Sequence, residues 1–293
     1  MTGTPQPHGD SPSASPTERT VACCQLALDV DRPDENLARV RDALERATRL
    51  GAQIIVLPEL ANSGYVFGDV ETLRDRAQPA DGAFVTELTD FARANDVVVV
   101  AGFPELAADG AIYNSAALVD PDIGATVYRK IHLWDNEKTW GFQAGTALPP
   151  IVHTRHGRIA TVICYDLEFP ELVRYCALRG AQLLAAPVNW PAFPRPDGER
   201  PGEIVRVQAG ASVNRMFIAA ADRTGVERGQ DWVGGSVITD ADGFPVTGID
   251  LGAEVIFTAA IDLADADDKQ ISPHNDVFED RRTDLYALAF EDR

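Results

Sequence analysis

At 293 residues, 45% hydrophobic and 24% charged, the chain has ordinary globular composition and can bury a full core without a metal or disulfide staple. Its 26 Lys and Arg stand against 45 Asp and Glu, a formal net charge of −19. That balance argues against binding phosphate backbones and suits solubility, or an acidic face toward a basic partner. No apolar run approaches the ~20 residues of a membrane span, so neither a nucleic-acid-binding nor a membrane protein is expected.

Residues 1–19 are rich in Pro, Ser, Thr and Gly and read as a disordered leader with no secretory signal. From Thr20, TVACCQLAL has the pattern of a buried strand. PDENLARVRDALERATRLG then shows helical spacing, with Leu37, Val40, Leu44 and Ala47 on one face and Gly51 as a stop. QIIVLP is a second buried strand, and a helix over Phe84–Asn95 precedes the strand VVVVAGF. NSAALVD and ATVYRK read as a neighbouring pair around a Pro-Asp-Ile-Gly turn. RIATVIC is expected to run as a strand straight into a helix that ends at Gly180. QLLAAPV, a helix over Glu203–Asn214, MFIAAAD, GSVITD and EVIFTAAID follow, with Trp190–Gly202 as a loop. Short β-branched runs alternating with helices imply an α/β fold whose helices cover its sheets. Residues 266–293 read as a polar tail that docks on the body or on a second subunit.

Four cysteines, Cys23, Cys24, Cys164 and Cys176, form no CxxC pair and no zinc spacing. Reduced thiols in a cytoplasmic protein are therefore expected. Cys23 and Cys24 share the first strand and should face opposite sides of it, as packing groups; Cys176 reads the same way. His132, His153 and His156 carry no metal-ligand pattern. No Gly-rich phosphate loop is present, so no cofactor is expected.

Three strand ends deliver reactive groups: Glu59 after QIIVLP, Lys130 after ATVYR and Cys164 after RIATVI. Sites in α/β proteins gather at such carboxyl ends. A thiol at a strand-to-helix turn gains thiolate character from the helix terminus and a nearby cation. A carboxylate can take its proton, and an ammonium and the Tyr165 N–H can hold an oxyanion. Taken singly, each has a plainer reading: a core thiol, a helix-capping carboxylate and a solvated lysine.

Together, LPELANSGY around Glu59, YRKIHLWDNEKTWGFQAG around Lys130 and CYDLEFPE around Cys164, with PVNW further on, resemble the nitrilase (carbon–nitrogen hydrolase) superfamily. The resemblance covers residues 20–265, which it implies are one hydrolase domain folded as a four-layer αββα sandwich. It implies Glu59 as general base and acid, Lys130 as oxyanion donor and Cys164 as covalent nucleophile. A second glutamate, Glu137, would hold the substrate and water in line. It also implies homodimers or larger homo-oligomers paired through helices.

Within the superfamily, nitrilases usually carry Trp-Glu after the nucleophile, whereas Tyr165 and Asp166 follow Cys164 here. That resembles the amidase-like branch. Hydrolysis of a small aliphatic amide ranks first and an N-carbamoyl amide hydrolase second, with a true nitrilase behind them. A non-catalytic binding module of the same fold is the remaining alternative. Tyr65, Trp134, Asn189 and Trp190 are the pocket candidates, with Phe67, Trp140 and Phe193 as core or wall. Arg195 and Arg200 either attract a carboxylated substrate or sit solvated in their loop.

Overall fold

The computed structural model describes residues 15–290. Strand β1 (Glu18–Ala27) is buried from Val21 to Leu26. Helix α1 (Pro33–Arg49) starts with Pro, carries Asp34 and Glu35 in its first turn and Arg46 and Arg49 in its last. Pro lacks the N–H that the first turn would leave unpaired, and the charges agree with the helix dipole. Gly51, at φ +85°, turns the chain into β2 (Ile54–Val56) at no steric cost. Helix α2 (Val70–Arg76) is capped by Asp69, whose Oδ1 accepts from Thr72 N at 2.7 Å. Helix α3 (Ala83–Asn95) leads into β3 (Val98–Leu106), β4 (Ile112–Asp120) and β5 (Gly124–Arg129). The short α4 (Glu137–Trp140) and β6 (Phe142–Gln143) follow, then β7 (Ile151–Thr154) and β8 (Gly157–Thr161). A 3-10 turn, Cys164–Glu168, precedes α5 (Pro170–Leu178), β9 (Leu183–Pro187), α6 (Gly202–Asn214) and β10 (Phe217–Ala221). Short strands β11 (Arg223–Thr224), β12 (Val226–Glu227) and β13 (Gln230–Asp231) lead to β14 (Val237–Thr239) and β15 (Val255–Asp262).

The first sheet runs β11-β1-β2-β3-β4-β5, with β15 antiparallel to β1 and β6 parallel to the start of β4. The second runs β14-β10-β9-β8-β7, parallel at its centre and antiparallel at both edges. Three apolar layers bind these elements. Val40, Leu44 and Leu88 of α1 and α3 pack with Cys24 and Ile55 on the outer face of the first sheet. Val21, Cys23, Val56 and Val98 meet Leu183, Phe217 and Ala219 between the sheets. Leu172, Cys176 and Val207 of α5 and α6 cover the outer face of the second sheet. The result is the four-layer αββα sandwich, and Cys23 and Cys24 face its two sides as alternation requires.

One expected strand is shorter than its apolar run. RIATVIC leaves the sheet at Thr161, because the Asp166 carboxylate takes the Ile163 N–H at 3.1 Å, a local bond that competes with the ladder. Helix α2 and the two-residue strands were not foreseen, being too short for periodicity to register. Of the expected leader, residues 1–14 lie outside the described residues, while Glu18 and Arg19 already belong to β1. The start of the polar tail lies on the body: Gln182 Nε2 donates to Asp267 at 2.9 Å, and Lys269 Nζ to the Arg215 carbonyl at 2.7 Å. Strands β16 (Gln270–Ser272) and β17 (Asn275–Asp276) and helix α7 (Thr283–Phe290) follow. Among the described residues, no helix is long and apolar enough to cross a membrane.

Candidate active site

Glu59 stands three residues beyond β2, on a stretch pressed against β3. The Gly102 N–H donates to the Pro58 carbonyl at 3.1 Å, and the Ala61 N–H to the Gly102 carbonyl at 2.8 Å. A Cβ on Gly102 would fall 2.6 Å from the Glu59 Cα, so only glycine permits this approach. Lys130 follows β5 directly, its N–H bonded to the Asn114 carbonyl at 2.8 Å. Glu137 opens α4. Cys164 opens the 3-10 turn at φ +46°, a left-handed conformation that costs a non-glycine residue about 1–3 kcal/mol and persists only where its surroundings enforce it.

These elements bring three charged groups into full burial. Lys130 Nζ lies 2.8 Å from Glu59 Oε1 and 2.7 Å from Glu137 Oε1. Asn114 Nδ2 donates to the same two oxygens at 2.6 and 3.1 Å. The Tyr65 hydroxyl donates to Glu137 Oε1 at 2.8 Å and the Trp134 N–H to Glu137 Oε2 at 3.0 Å. Glu137 is thus bonded through both oxygens. Glu59 Oε2, by contrast, is buried without a partner.

Burial pushes Glu59 up to about 7, outweighing the opposing pull of Lys130. For Lys130 burial acts downward, yet the Glu137 and Glu59 carboxylates overcome it and hold the ammonium charged. Burial and the charge of Glu59 drive the Cys164 thiol well above its ordinary range. The resting pair is therefore a protonated thiol beside a carboxyl group poised to exchange a proton near neutrality.

Asn189, beyond β9, anchors two parts of this arrangement. Its carbonyl accepts from Cys164 Sγ at 3.6 Å and its Nδ2 donates to the Glu59 carbonyl at 2.9 Å. The Tyr165 N–H finds no backbone acceptor among the described residues. Trp134, Cys164, Tyr165 and Trp190 line a cavity of about 110 Å³, and a neighbouring hollow of about 170 Å³ shares Trp134 with it and adds Tyr65, Trp140 and Trp232. Phe193 lines both, whereas Phe67 is core, edge-on to Trp140 and Phe142. Arg195 and Arg200 line neither, and Arg200 instead donates to Gln208 at 2.7 Å.

Sequence reasoning missed Asn114, Asp166 and the Arg223–Glu227 pair. Asp166 is fully buried and joins three segments: Oδ2 accepts from the Tyr128 hydroxyl at 2.8 Å and from Ile163 N, while Oδ1 lies 2.8 Å from His132 Nδ1 and 3.1 Å from His132 N. An Asn inside a buried strand and an Asp two residues after a strand-end cysteine are the signals that could have found two of them, since buried polar groups need partners.

A cysteine in a strained turn, facing a buried glutamate and a buried lysine at strand ends of a four-layer sandwich, defines an enzyme acting on carbon–nitrogen bonds. The carbon–nitrogen hydrolase family model matches residues 20–269, and the chain belongs to that family, in the amidase-like branch of the nitrilase superfamily. It is 35% identical to a nitrilase of Pyrococcus abyssi, over 91% of this chain and 98% of the relative. It is 31% identical to the N-carbamoylputrescine amidase of Solanum lycopersicum, over 92% and 94%. A mutant of the amidase from Nesterenkonia sp. AN1, bearing the acetamide moiety of fluoroacetamide on its active-site cysteine, superposes with a TM-score of 0.75 at 26% identity. That superposition covers 95% of this chain and 99% of the other.

Proposed function

We propose that the chain hydrolyses a small carboxamide to the carboxylic acid and ammonia through a thioester on Cys164. The observation that carries this reading is Glu59: buried, pushed up to about 7, with one oxygen free and its charge felt by the Cys164 thiol. Glu59 takes the thiol proton as sulfur attacks the carbonyl carbon, and the C=O electron pair moves onto oxygen. Lys130 Nζ and the Tyr165 N–H receive that oxyanion, a contribution of about 10²–10³ in rate for each donor of this kind. On collapse the C–N bond breaks, and Glu59 returns its proton to the departing ammonia. Water then loses a proton to Glu59, attacks the thioester and expels the thiolate, which Glu59 reprotonates. Glu137 holds Lys130 and, through its bonds to Tyr65 and Trp134, the loops that shape the cavity. Tyr65, Trp134, Asn189 and Trp190 frame the acyl group.

The proposal takes residues 20–265 as the hydrolase domain and 266–293 as its docking tail. It also takes the enzyme as a cytoplasmic homodimer: four buried, unpaired cysteines suit a reducing compartment, and α6 exposes Val205 and Val213 for a second copy to cover. Ammonia release from propionamide, N-carbamoyl-alanine and propionitrile tests the reaction, with Cys164→Ala as blank. Turnover of propionamide is expected, and abolished in the folded Cys164→Ala protein. Chief turnover of N-carbamoyl-alanine would establish the carbamoyl alternative instead, as a name such as N-carbamoylputrescine amidase among the relatives allows. Substantial activity in Cys164→Ala would overturn the mechanism.

A further inference from the structure

The cavity that ends at Cys164 carries charge on one wall only. Glu168, at the end of the 3-10 turn, and Glu203 and Arg206, in the first turns of α6, line it together with Trp134 and Trp190. Arg206 Nη2 meets Glu168 Oε1 at 2.9 Å, whereas Arg206 Nη1 is 3.9 Å from Glu203 Oε1. The guanidinium is thus engaged by Glu168, and the Glu203 side chain, only 17% exposed, keeps a loosely held carboxylate. Two carboxylates and one guanidinium leave this wall one negative charge in excess.

We propose that Glu168 and Glu203 select substrates whose acyl chain ends in a cationic nitrogen, an inference that rests on the amide-hydrolase reading above. On that reading the cavity is already the substrate site, because Cys164 lines it. An ammonium beside that wall meets the surplus carboxylate and the aromatic rings of Trp134 and Trp190, which line the same cavity, a combination that favours cations. A carboxylate tail would instead have to draw Arg206 away from Glu168 and would add a third negative charge to a half-buried wall. The net charge of −19 over the whole chain acts in the same direction on the approach of substrate.

The test uses three amides with the same three methylenes: 4-aminobutanamide, pentanamide and glutaramate, ending in ammonium, methyl and carboxylate. The purified full-length enzyme is expected to give kcat/KM for 4-aminobutanamide at least about ten-fold above pentanamide, with glutaramate lowest. That advantage should shrink as salt is raised, since partly exposed charges are screened. Glu203→Gln should cut the ratio of the first two values about ten-fold. Equal or better turnover of pentanamide or glutaramate by the parent enzyme overturns this inference and leaves the amidase reading standing. Silence on all three amides, from folded protein, overturns both.

Discussion

Two carboxylates lie at the same depth in this molecule and are treated in opposite ways. Glu227, in β12, is fully buried and both its oxygens are occupied: Val30 N at 2.6 Å, Val66 N at 2.8 Å, Tyr65 N at 3.1 Å and Arg223 Nη1 at 2.9 Å. Arg223 also donates to the Leu28 carbonyl and lies 4.4 Å from the centre of the Trp232 ring. Glu59 is buried as deeply, yet only one of its oxygens is bonded. A buried polar atom left bare costs stability, so the fold carries a penalty at Glu59 that it avoids at Glu227. The satisfied carboxylate ties the loop bearing Tyr65 to the body, and the Tyr65 hydroxyl then reaches Glu137. One network builds the frame; the other is left incomplete at the carboxylate we propose as general base.

The two residues should therefore separate activity from stability. Glu59→Gln keeps an oxygen for Lys130 and Asn114 but cannot take a proton, so kcat/KM should fall about 10²–10⁴-fold, with the denaturation midpoint little changed below about pH 4.5, where the parent carboxyl is also neutral. Glu227→Ala should do the reverse in kind, stranding the Arg223 guanidinium without its carboxylate. Breaking such a buried pair costs about 3–5 kcal/mol, to be read from denaturant unfolding. A Glu227→Ala protein with unchanged midpoint but lost turnover would erase the distinction. Asp166 lies between the two cases. Asp166→Asn retains one acceptor oxygen for a carboxylate that serves Tyr128, Ile163 and His132, so a loss of about 1–3 kcal/mol is expected. Turnover should fall with it, because the same bonds set the Cys164 turn.

The outer frame and the place of Cys164 at a strand end were legible in the sequence for a common reason. Apolar runs such as TVACCQLAL and QLLAAPV, and the spaced face of α1, repeat a local rule, and the residues at their ends inherit a place in the sheet. Glu59, Lys130 and Cys164 were therefore readable at strand ends, Glu137 only through the family resemblance, and the structure brings Glu59, Lys130 and Glu137 into direct contact. Asn114, Asp166 and Glu227 were not, because most of their partners lie 23 to 197 residues away. NSAALVD places an Asn in an apolar strand, where it needs partners, but does not say that those partners are two carboxylates. The charged wall of Glu168, Glu203 and Arg206 joins a turn to a helix across a loop, and only the folded chain makes it a wall. The early end of β8 belongs with these, since its cause is a side chain five residues beyond the last paired position.

The mildest way to sharpen the contrast is pH. Burial raises Glu59 from 4.5 to about 7, and only its deprotonated form can accept the thiol proton. The acylation limb of kcat/KM should therefore be level above about pH 7 and fall about ten-fold per unit below it, some 1.4 kcal/mol each. The stability sign follows from the same shift. A carboxyl whose folded value lies above its unfolded one binds its proton more tightly in the native state, so its contribution is largest below 4.5 and is lost as pH rises toward 7. Glu59→Gln should remove that slope from a stability-against-pH curve. The Asn114 bond pulls Glu59 downward, so Asn114→Ala should shift the acid limb to higher pH. A limb below pH 6 in the parent enzyme would return Glu59 to the ordinary carboxylate range and remove its contrast with Glu227.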